Sequence, residues 1–176
     1  MKKLNKKTYI LTSGAVVLAM AQILSYIKFF ELPQSGSVTL ASMAPILFFP
    51  LICGPKYGLI TSFTYGILQF ILGGTFYHPL SLLLDYFIAF GALGITGFFT
   101  RDLKSFIAGS ALAIFLRYLC HFLSGFLIFA EYAPAGQSPI IYSAVYNSFI
   151  LVEAIITIPV LIILYKKVLP KIKRVI

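Results

Sequence analysis

The sequence predicts an all-α integral membrane protein of about six transmembrane helices, with both termini cytoplasmic. Of its 176 residues, 60% are hydrophobic and only 11% are charged, less than half the roughly 25% typical of soluble domains. A water-soluble chain of this length cannot bury so much apolar surface in one core. Disorder is excluded because disordered chains are poor in aromatic residues, which make up 16% of this chain.

Six apolar segments provide the predicted helices, since about 20 apolar residues span a bilayer. Glycine and proline lie between the segments, where loops are needed. Prolines inside the second and sixth segments predict an irregular second helix and a kinked sixth. The first segment exceeds the 7–15 residues of a signal-peptide core, so we expect a spanning helix there. The segments are Tyr9–Phe30, Val38–Cys53, Tyr57–Leu72, Pro79–Phe99, Phe106–Phe129 and Ile140–Tyr165.

The net charge of +9 is concentrated at the two ends of the chain. An even number of helices places both ends on one side, together with Lys56, Arg101 and Lys104, while Lys28 falls on the other. This excess of Lys and Arg predicts the cytoplasmic side. Because it serves to orient the chain in the membrane, the net charge does not indicate binding to nucleic acid. We expect one transmembrane domain over residues 1–176, with basic tails at about 1–8 and 166–176. The terminal basic residues are Lys2, Lys3, Lys6, Lys7, Lys166, Lys167, Lys171, Lys173 and Arg174.

Ionisable residues inside predicted helices cost at least ~2.5–3.5 kcal/mol each to insert, so each needs a partner or a function. At ~1.5 Å of rise per residue, Asp85 lies ~9 Å below the outer surface, in the same layer as His121, Tyr142 and Asn147. Asp85 is either a carboxylate tolerated beside a tyrosine or His121, or the anionic floor of an outward-facing pocket for a cation. We favour the pocket because several polar residues share its depth.

Arg117 and Glu153 lie deeper, near the middle of the membrane by the same count. We expect a buried ion pair that joins the fifth and sixth helices and fixes their register. A role for either residue in a substrate or proton path is the alternative.

Aromatic residues cluster near the predicted outer face. Flat rings around one buried carboxylate suit a flat, positively charged heteroaromatic ligand, through stacking and cation–π contact. The cluster contains Phe76, Tyr77, Tyr86, Phe129, Tyr132, Tyr142 and Tyr146.

Small residues line one face of the first helix, with Ala15 and Ala19 four positions apart. Such a face lets another helix approach closely in a membrane. It serves either ordinary packing within this chain or docking onto a separate membrane protein.

The sequence also limits the chemistry that the chain performs. It contains no glycine-rich phosphate loop, and its five acidic residues are scattered, whereas a metal-dependent lipid enzyme needs clustered carboxylates. Cys53 and Cys120 lie in apolar runs and predict no metal site or disulfide. A self-contained secondary transporter is a further alternative, although such proteins usually contain two repeats, and none is evident here.

Together these features resemble the substrate-binding S-components of energy-coupling factor (ECF) vitamin transporters. The resemblance covers nearly the whole chain and is greatest to the thiamine-specific members. It rests on Ala15-xxx-Ala19, Gly36-Ser37-Val38-Thr39-Leu40, Asp85-Tyr86, Arg117-Tyr118 with His121, and Tyr142 with Asn147.

The resemblance implies high-affinity binding of extracellular thiamine in the plasma membrane, bacterial origin, and no catalytic activity. It implies no cofactor for this chain, because a transmembrane coupling subunit and two cytoplasmic ATPases supply the energy. By similarity, Asp85 faces the cationic ligand, and His121, Tyr142 and Asn147 contact its polar edges. Tyr86 follows the carboxylate as in the family, Phe129 stacks, and Gly125 permits close backbone approach. The aromatic residues Tyr77 and Tyr146 complete the predicted site, and Ala15 and Ala19 match the docking face.

Two differences from the family bear on the ligand. Asp85 stands where the family usually has Glu, one methylene longer, and the chain has no Trp, whereas the family uses Trp for stacking. Phe and Tyr can replace that stacking with a weaker cation–π surface. An S-component for another vitamin or for a thiamine precursor is therefore the main alternative.

Overall fold

Six helical segments make up most of the part of the chain that the structure, a computed structural model, describes, namely residues 5–33 and 36–172. The basic residues Lys2, Lys3, Lys173 and Arg174 lie outside these ranges. The helices are α1 (Lys6–Tyr26), α2 (Met43–Cys53), α3 (Pro55–Gly73), α4 (Pro79–Phe98), α5 (Leu103–Leu127) and α6 (Pro139–Lys171). By length and composition α1, α4, α5 and α6 can each cross a membrane. The predicted helical membrane protein is confirmed.

A β-hairpin connects α1 to α2. Strands β1 (Lys28–Glu31) and β2 (Ser37–Thr39) pair in antiparallel fashion. The predicted first helix is therefore wrong beyond Tyr26, and the predicted second helix is wrong over Val38 to Ser42. Apolarity alone does not distinguish a strand from a helix in such a short run, and the aromatic residues of β1 favour strand structure.

Helix α2 forms the centre of the bundle, since every residue from Ala41 to Gly54 is buried. It consists of two pieces, Met43–Phe48 and Pro50–Cys53, because a proline removes a backbone donor inside a helix. The irregular second helix is thus confirmed. Its position inside the bundle explains how a segment too short to span a membrane is accommodated.

Glycines allow α3 and α4 to pack closely. A Cβ on Gly66 would lie 2.3 Å from the backbone oxygen of Tyr86, and one on Gly94 would lie 2.6 Å from the Cα of Leu59. Next to this contact α4 is π-helical over Leu82–Ile88. Single turns of π-helix occur frequently at functional sites, and this one contains Asp85 and Tyr86.

Helix α6 is interrupted near its outer end. The segments Pro139–Tyr146 and Phe149–Ile163 are separated by Asn147 and Ser148. Helical geometry continues through Pro159, where the sequence predicted a kink, and becomes π-helical over Leu164–Val168. The interruption thus comes before Pro159, and it contains Asn147, a residue of the predicted site.

Candidate ligand-binding site

A cavity opens on the side of the bundle away from the basic ends of the chain. Its volume of about 490 Å³ is within the size range of small-molecule sites. The hairpin, the last turns of α1 and α3, the first turns of α4 and α6, and the second half of α5 line it. All nine residues of the predicted site lie on its wall: Tyr77, Asp85, Tyr86, His121, Gly125, Phe129, Tyr142, Tyr146 and Asn147. The structure therefore brings the predicted set together, and the ligand contacts of each residue remain predictions.

Asp85 is held by two side chains of α5. Its Oδ1 lies 3.0 Å from Nδ1 of His121, and its Oδ2 accepts a hydrogen bond of 2.6 Å from the Ser124 hydroxyl. Both Asp85 and His121 retain 16% exposure of their side chains. The contact with His121 is the one that the sequence offered as the alternative to a ligand pocket, and Asp85 also lines the cavity. These partners fix the direction of the carboxylate without removing it from a ligand's reach.

Asn147 lies at the interruption of α6 and contacts α5. Its Nδ2 donates 3.2 Å to the carbonyl of His121 and 2.9 Å to that of Ser143. Gly125 makes this approach possible, because a Cβ there would lie 2.3 Å from the Ser143 hydroxyl and 3.0 Å from the Asn147 amide nitrogen. Gly125 thus serves the contact between the two helices beside the cavity.

Aromatic side chains form two groups on the cavity wall. The rings of Tyr77 and Phe129 lie 4.9 Å apart, with Tyr132 at 6.0–6.2 Å from both. Tyr142 and Tyr146 form the second group, at 5.8 Å. Phe76, which the sequence grouped with them, is 59% exposed and does not line the cavity.

The Tyr77 hydroxyl contacts the Glu131 carboxylate beyond the membrane-spanning segments. Hydrogen bonds with Glu131 and Tyr132 raise the pKa of Tyr77 above its ordinary value, because the nearby carboxylate disfavours a phenolate. Tyr77 therefore stays protonated to a higher pH than a free tyrosine does.

The hairpin contacts the outer end of α6 through Tyr146. The Tyr146 hydroxyl donates to the carbonyl of Pro33 and accepts a hydrogen bond of 3.1 Å from the backbone N–H of Gly36. A side chain on Gly36 would lie 2.8 Å from that hydroxyl. Lys28 and Glu31 of β1 form an ion pair of 2.8 Å on the cavity wall. The hairpin therefore covers part of the cavity and is joined to the predicted site.

The predicted ion pair between Arg117 and Glu153 is wrong, because no nitrogen–oxygen distance between them is within 4.0 Å where the structure describes the chain. Oε1 of Glu153 accepts from the hydroxyls of Thr39 at 2.6 Å and Ser42 at 3.0 Å. The guanidinium of Arg117 lies 4.2 Å from the centre of the Phe90 ring. The sequence missed these partners because Thr39 and Ser42 were expected within a helix.

Two glutamines in the cavity wall were also missed. Nε2 of Gln69 donates to Oε1 of Gln22 at 2.8 Å and to Ser25 at 3.4 Å, joining α3 to α1, and all three residues line the cavity. Amides within two apolar helices were the signal that could have indicated them.

Ala15 and Ala19 are exposed on α1. The same face carries Leu11, Val16 and Ile23, which are 74%, 51% and 62% exposed. By contrast, Gly14 is buried, and a Cβ added there would lie 3.6 Å from the side chains of Phe49 and Thr61. Packing within the described chain therefore does not occupy the alanine face.

A membrane-spanning helical bundle with a polar, aromatic-lined cavity at one end defines a multi-pass membrane protein that binds a small molecule. The family model described as "Thiamine transporter protein (Thia_YuaJ)" matches residues 11–173. The chain therefore belongs to the thiamine transporter family. This family consists of transporters, which excludes the lipid-modifying enzyme considered above.

Curated relatives and a solved structure agree with this assignment. The chain is 32% identical to thiamine transporter ThiT of Bacillus subtilis (strain 168), over 91% of each chain. It is 26% identical to thiamine transporter ThiT of Lacticaseibacillus paracasei (strain ATCC 334), over 81% of this chain and 79% of the relative. A structure of ThiT from Listeria monocytogenes superposes with a TM-score of 0.75 at 25% identity, covering 95% of this chain and 98% of that one.

Proposed function

We propose that this chain captures extracellular thiamine and is the substrate-binding S-component of an ECF vitamin importer. The observation that carries the proposal is the placement of Asp85, half-enclosed by His121 and Ser124, on the wall of an aromatic-lined cavity. A carboxylate among aromatic rings suits a cationic thiazolium ring. The family assignment supplies thiamine as the first ligand to test.

The charges around the cavity support a singly positive ligand. Lys28 and Glu31 neutralise each other as an ion pair. Of the other lining residues, Arg117 carries one positive charge, and Asp85 and Glu153 each carry a negative charge when ionised. Counted without His121, the wall therefore carries one net negative charge, which a monocation balances.

The hairpin between α1 and α2 is the proposed lid. It reaches Tyr146 through Pro33 and Gly36, so its position is connected to the helix that carries Tyr142 and Asn147. Opening the hairpin would expose the cavity to the outside, and closing it would retain the ligand.

The exposed alanine face of α1 is the proposed docking site for the transmembrane coupling subunit. Two cytoplasmic ATPases bound to that subunit would then drive release, and this chain would need no cofactor of its own. Exposed small residues permit the close helix approach that such docking needs.

Isothermal titration of the purified, ligand-stripped protein with thiamine tests the binding function. We expect saturable one-to-one binding at nanomolar strength. Competition with thiamine precursors and with other vitamins separates the main alternative from the proposal. No heat at micromolar thiamine, in protein shown to be folded, would contradict thiamine as the ligand.

Uptake assays with the coupling module test the docking site. Ala15→Trp and Ala19→Trp should abolish uptake and leave thiamine affinity unchanged, because the bulky rings block helix approach outside the cavity. Ile155→Trp on α6, at a position 73% exposed, is the matched control. Uptake that persists without the coupling module would favour a self-contained transporter.

A further inference from the structure

Three polar side chains form a cluster where α1 and α3 face the cavity. Nε2 of Gln69 donates to Oε1 of Gln22 at 2.8 Å and to the hydroxyl of Ser25 at 3.4 Å. The Ser25 hydroxyl in turn donates to the backbone carbonyl of Gln22 at 2.7 Å. All three residues line the cavity, and none of them belongs to the set predicted from the sequence.

The two amides retain hydrogen-bonding groups that the described residues do not satisfy. An amide side chain carries one carbonyl oxygen and two N–H donors. Gln22 engages only its carbonyl, and Gln69 engages only its nitrogen. Whichever amide donates, one carbonyl oxygen and one NH₂ group are therefore left over. Neither of these groups is fully enclosed, so a molecule in the cavity can reach both.

The unused groups indicate the chemistry of the ligand group that would pair with them. Gln22 is 9% exposed, and polar groups buried to this extent are normally hydrogen-bonded. A free carbonyl beside a free NH₂ group needs a partner that both donates and accepts, which an alcohol does through a single oxygen atom. An anion, which only accepts, would be repelled by the carbonyl, and an alkyl group would leave both amides unpaired.

The amide cluster lies beside the predicted anchor of the cation. Gln69 precedes Phe70, whose ring lies 5.3 Å from that of Tyr86, the residue after Asp85. One turn earlier on α3, Gly66 admits the backbone of Tyr86, since a Cβ there would lie 2.3 Å from its oxygen. The turn of α3 that carries the amide therefore packs against the turn of α4 that carries the carboxylate. A substituent of a cationic ring at Asp85 can extend towards the amides.

We propose that Gln22 and Gln69 form a subsite for a free hydroxyl group of the ligand. The carbonyl of Gln69 accepts from that hydroxyl and the NH₂ group of Gln22 donates to it, while the cationic ring stays at Asp85. This inference rests on the proposed function, because in thiamine a hydroxyethyl group is attached to the cationic thiazolium ring. The pair thereby determines specificity for an alcohol at this position of the ligand.

A cycle that combines protein variants with a ligand analogue tests the subsite. Thiamine is compared with the analogue that carries an ethyl group in place of the hydroxyethyl group. Wild-type protein should bind the analogue about tenfold more weakly, since two hydrogen bonds to neutral groups are lost. In Gln22→Met and in Gln69→Met this ratio should fall to about threefold or less, because only one of the two bonds can form. Gln137→Met, at an exposed glutamine in the loop before α6, is the matched control and should keep the wild-type ratio.

Two outcomes of this cycle would overturn the subsite. One is equal affinity of the wild type for thiamine and the ethyl analogue. The other is a ratio that neither glutamine variant changes, which is the result expected if the amide pair only joins α1 to α3. In that case both variants would unfold at a lower temperature and would weaken the two ligands by the same factor. Absence of thiamine binding by the wild type would instead contradict the proposed function.

Nuclear magnetic resonance of the wild-type protein decides the matter even if neither variant folds. The chain contains four glutamines, Gln22, Gln34, Gln69 and Gln137, so glutamine-selective ¹⁵N labelling of the side-chain amides gives a simple spectrum. Gln34→Met and Gln137→Met identify two of the signals and leave those of the pair. The signals of the pair should differ between protein saturated with thiamine and protein saturated with the ethyl analogue, whereas that of Gln137 should coincide. Identical signals of the pair in the two complexes would contradict the contact.

Discussion

Two membrane-embedded carboxylates, Asp85 and Glu153, occupy the same cavity wall in different surroundings. Asp85 retains 16% exposure and is paired with a histidine and a serine. Glu153 is 2% exposed, and its Oε1 accepts hydrogen bonds from the hydroxyls of Thr39 and Ser42. The comparison shows that two carboxylates on one cavity wall differ in their access to the cavity and in their hydrogen-bond partners. We therefore expect them to differ in role.

The largest expected effect is on ligand affinity at Asp85. Asp85→Asn should weaken thiamine binding by at least tenfold, about 1.4 kcal/mol or more, because the charge that balances the cation is lost. Titration calorimetry measures the loss, and thermal unfolding checks that the variant is folded. Asp85→Glu, which restores the acid usual in the family, is the matched control and should stay within tenfold of the wild type. Unchanged affinity in Asp85→Asn would mean that this carboxylate does not anchor the ligand.

Glu153 should show the reverse pattern. Glu153→Gln should lower the free energy of unfolding by about 1–3 kcal/mol, since it removes a charged acceptor that joins α6 to Thr39 and Ser42. Thiamine affinity of the folded variant should change less than in Asp85→Asn. Glu131→Gln, at an exposed carboxylate, is the control for loss of charge. If Glu153→Gln weakened thiamine as strongly as Asp85→Asn, the two carboxylates would share one role.

Ser124 tests whether the direction of the Asp85 carboxylate matters. Ser124→Ala removes the 2.6 Å hydrogen bond to Oδ2 and keeps the charge. Thiamine affinity should fall about two- to tenfold, corresponding to about 0.5–1.5 kcal/mol for one hydrogen bond. The double variant with Asp85→Asn should show less than the sum of the two losses. Strict additivity would indicate that Ser124 acts independently of Asp85.

A carboxylate outside the membrane should show the smallest effect. Asp102 caps α5 by accepting from the backbone N–H of Ser105 at 2.8 Å. This hydrogen bond, followed by the contact with Arg101, lowers the pKa of Asp102. Its stabilising contribution is therefore present above about pH 4, the ordinary range of an aspartate, and is lost as the pH falls through the lowered pKa. Asp102→Asn should remove this part of the pH dependence of thermal stability, and an unaltered profile would show that the cap does not contribute.

Sequence patterns predicted the composition of the site better than its contacts. The positions of Asp85, His121 and Asn147 along their helices sufficed to place them in one layer, because helix rise is constant. The ion pair of Arg117 with Glu153 was wrong because charge and depth do not specify side-chain partners. Glu153 instead accepts hydrogen bonds from the hydroxyls of Thr39 and Ser42, and Arg117 lies over the Phe90 ring. All three partners come from segments distant in sequence.

The sequence by itself determined the class of protein, the number of helices and the side that carries the basic ends. These features can be predicted because each segment partitions between water and lipid largely on its own. Its hydrophobic length decides whether it spans, and the distribution of Lys and Arg decides its orientation. Only the tertiary structure decided that β1 and β2 form a hairpin, that α2 is central, and that α4 and α6 depart from regular helix beside the cavity. Those features depend on which surfaces meet, as where Gly125 admits Asn147 and Gly66 admits Tyr86, and no single segment specifies its neighbour.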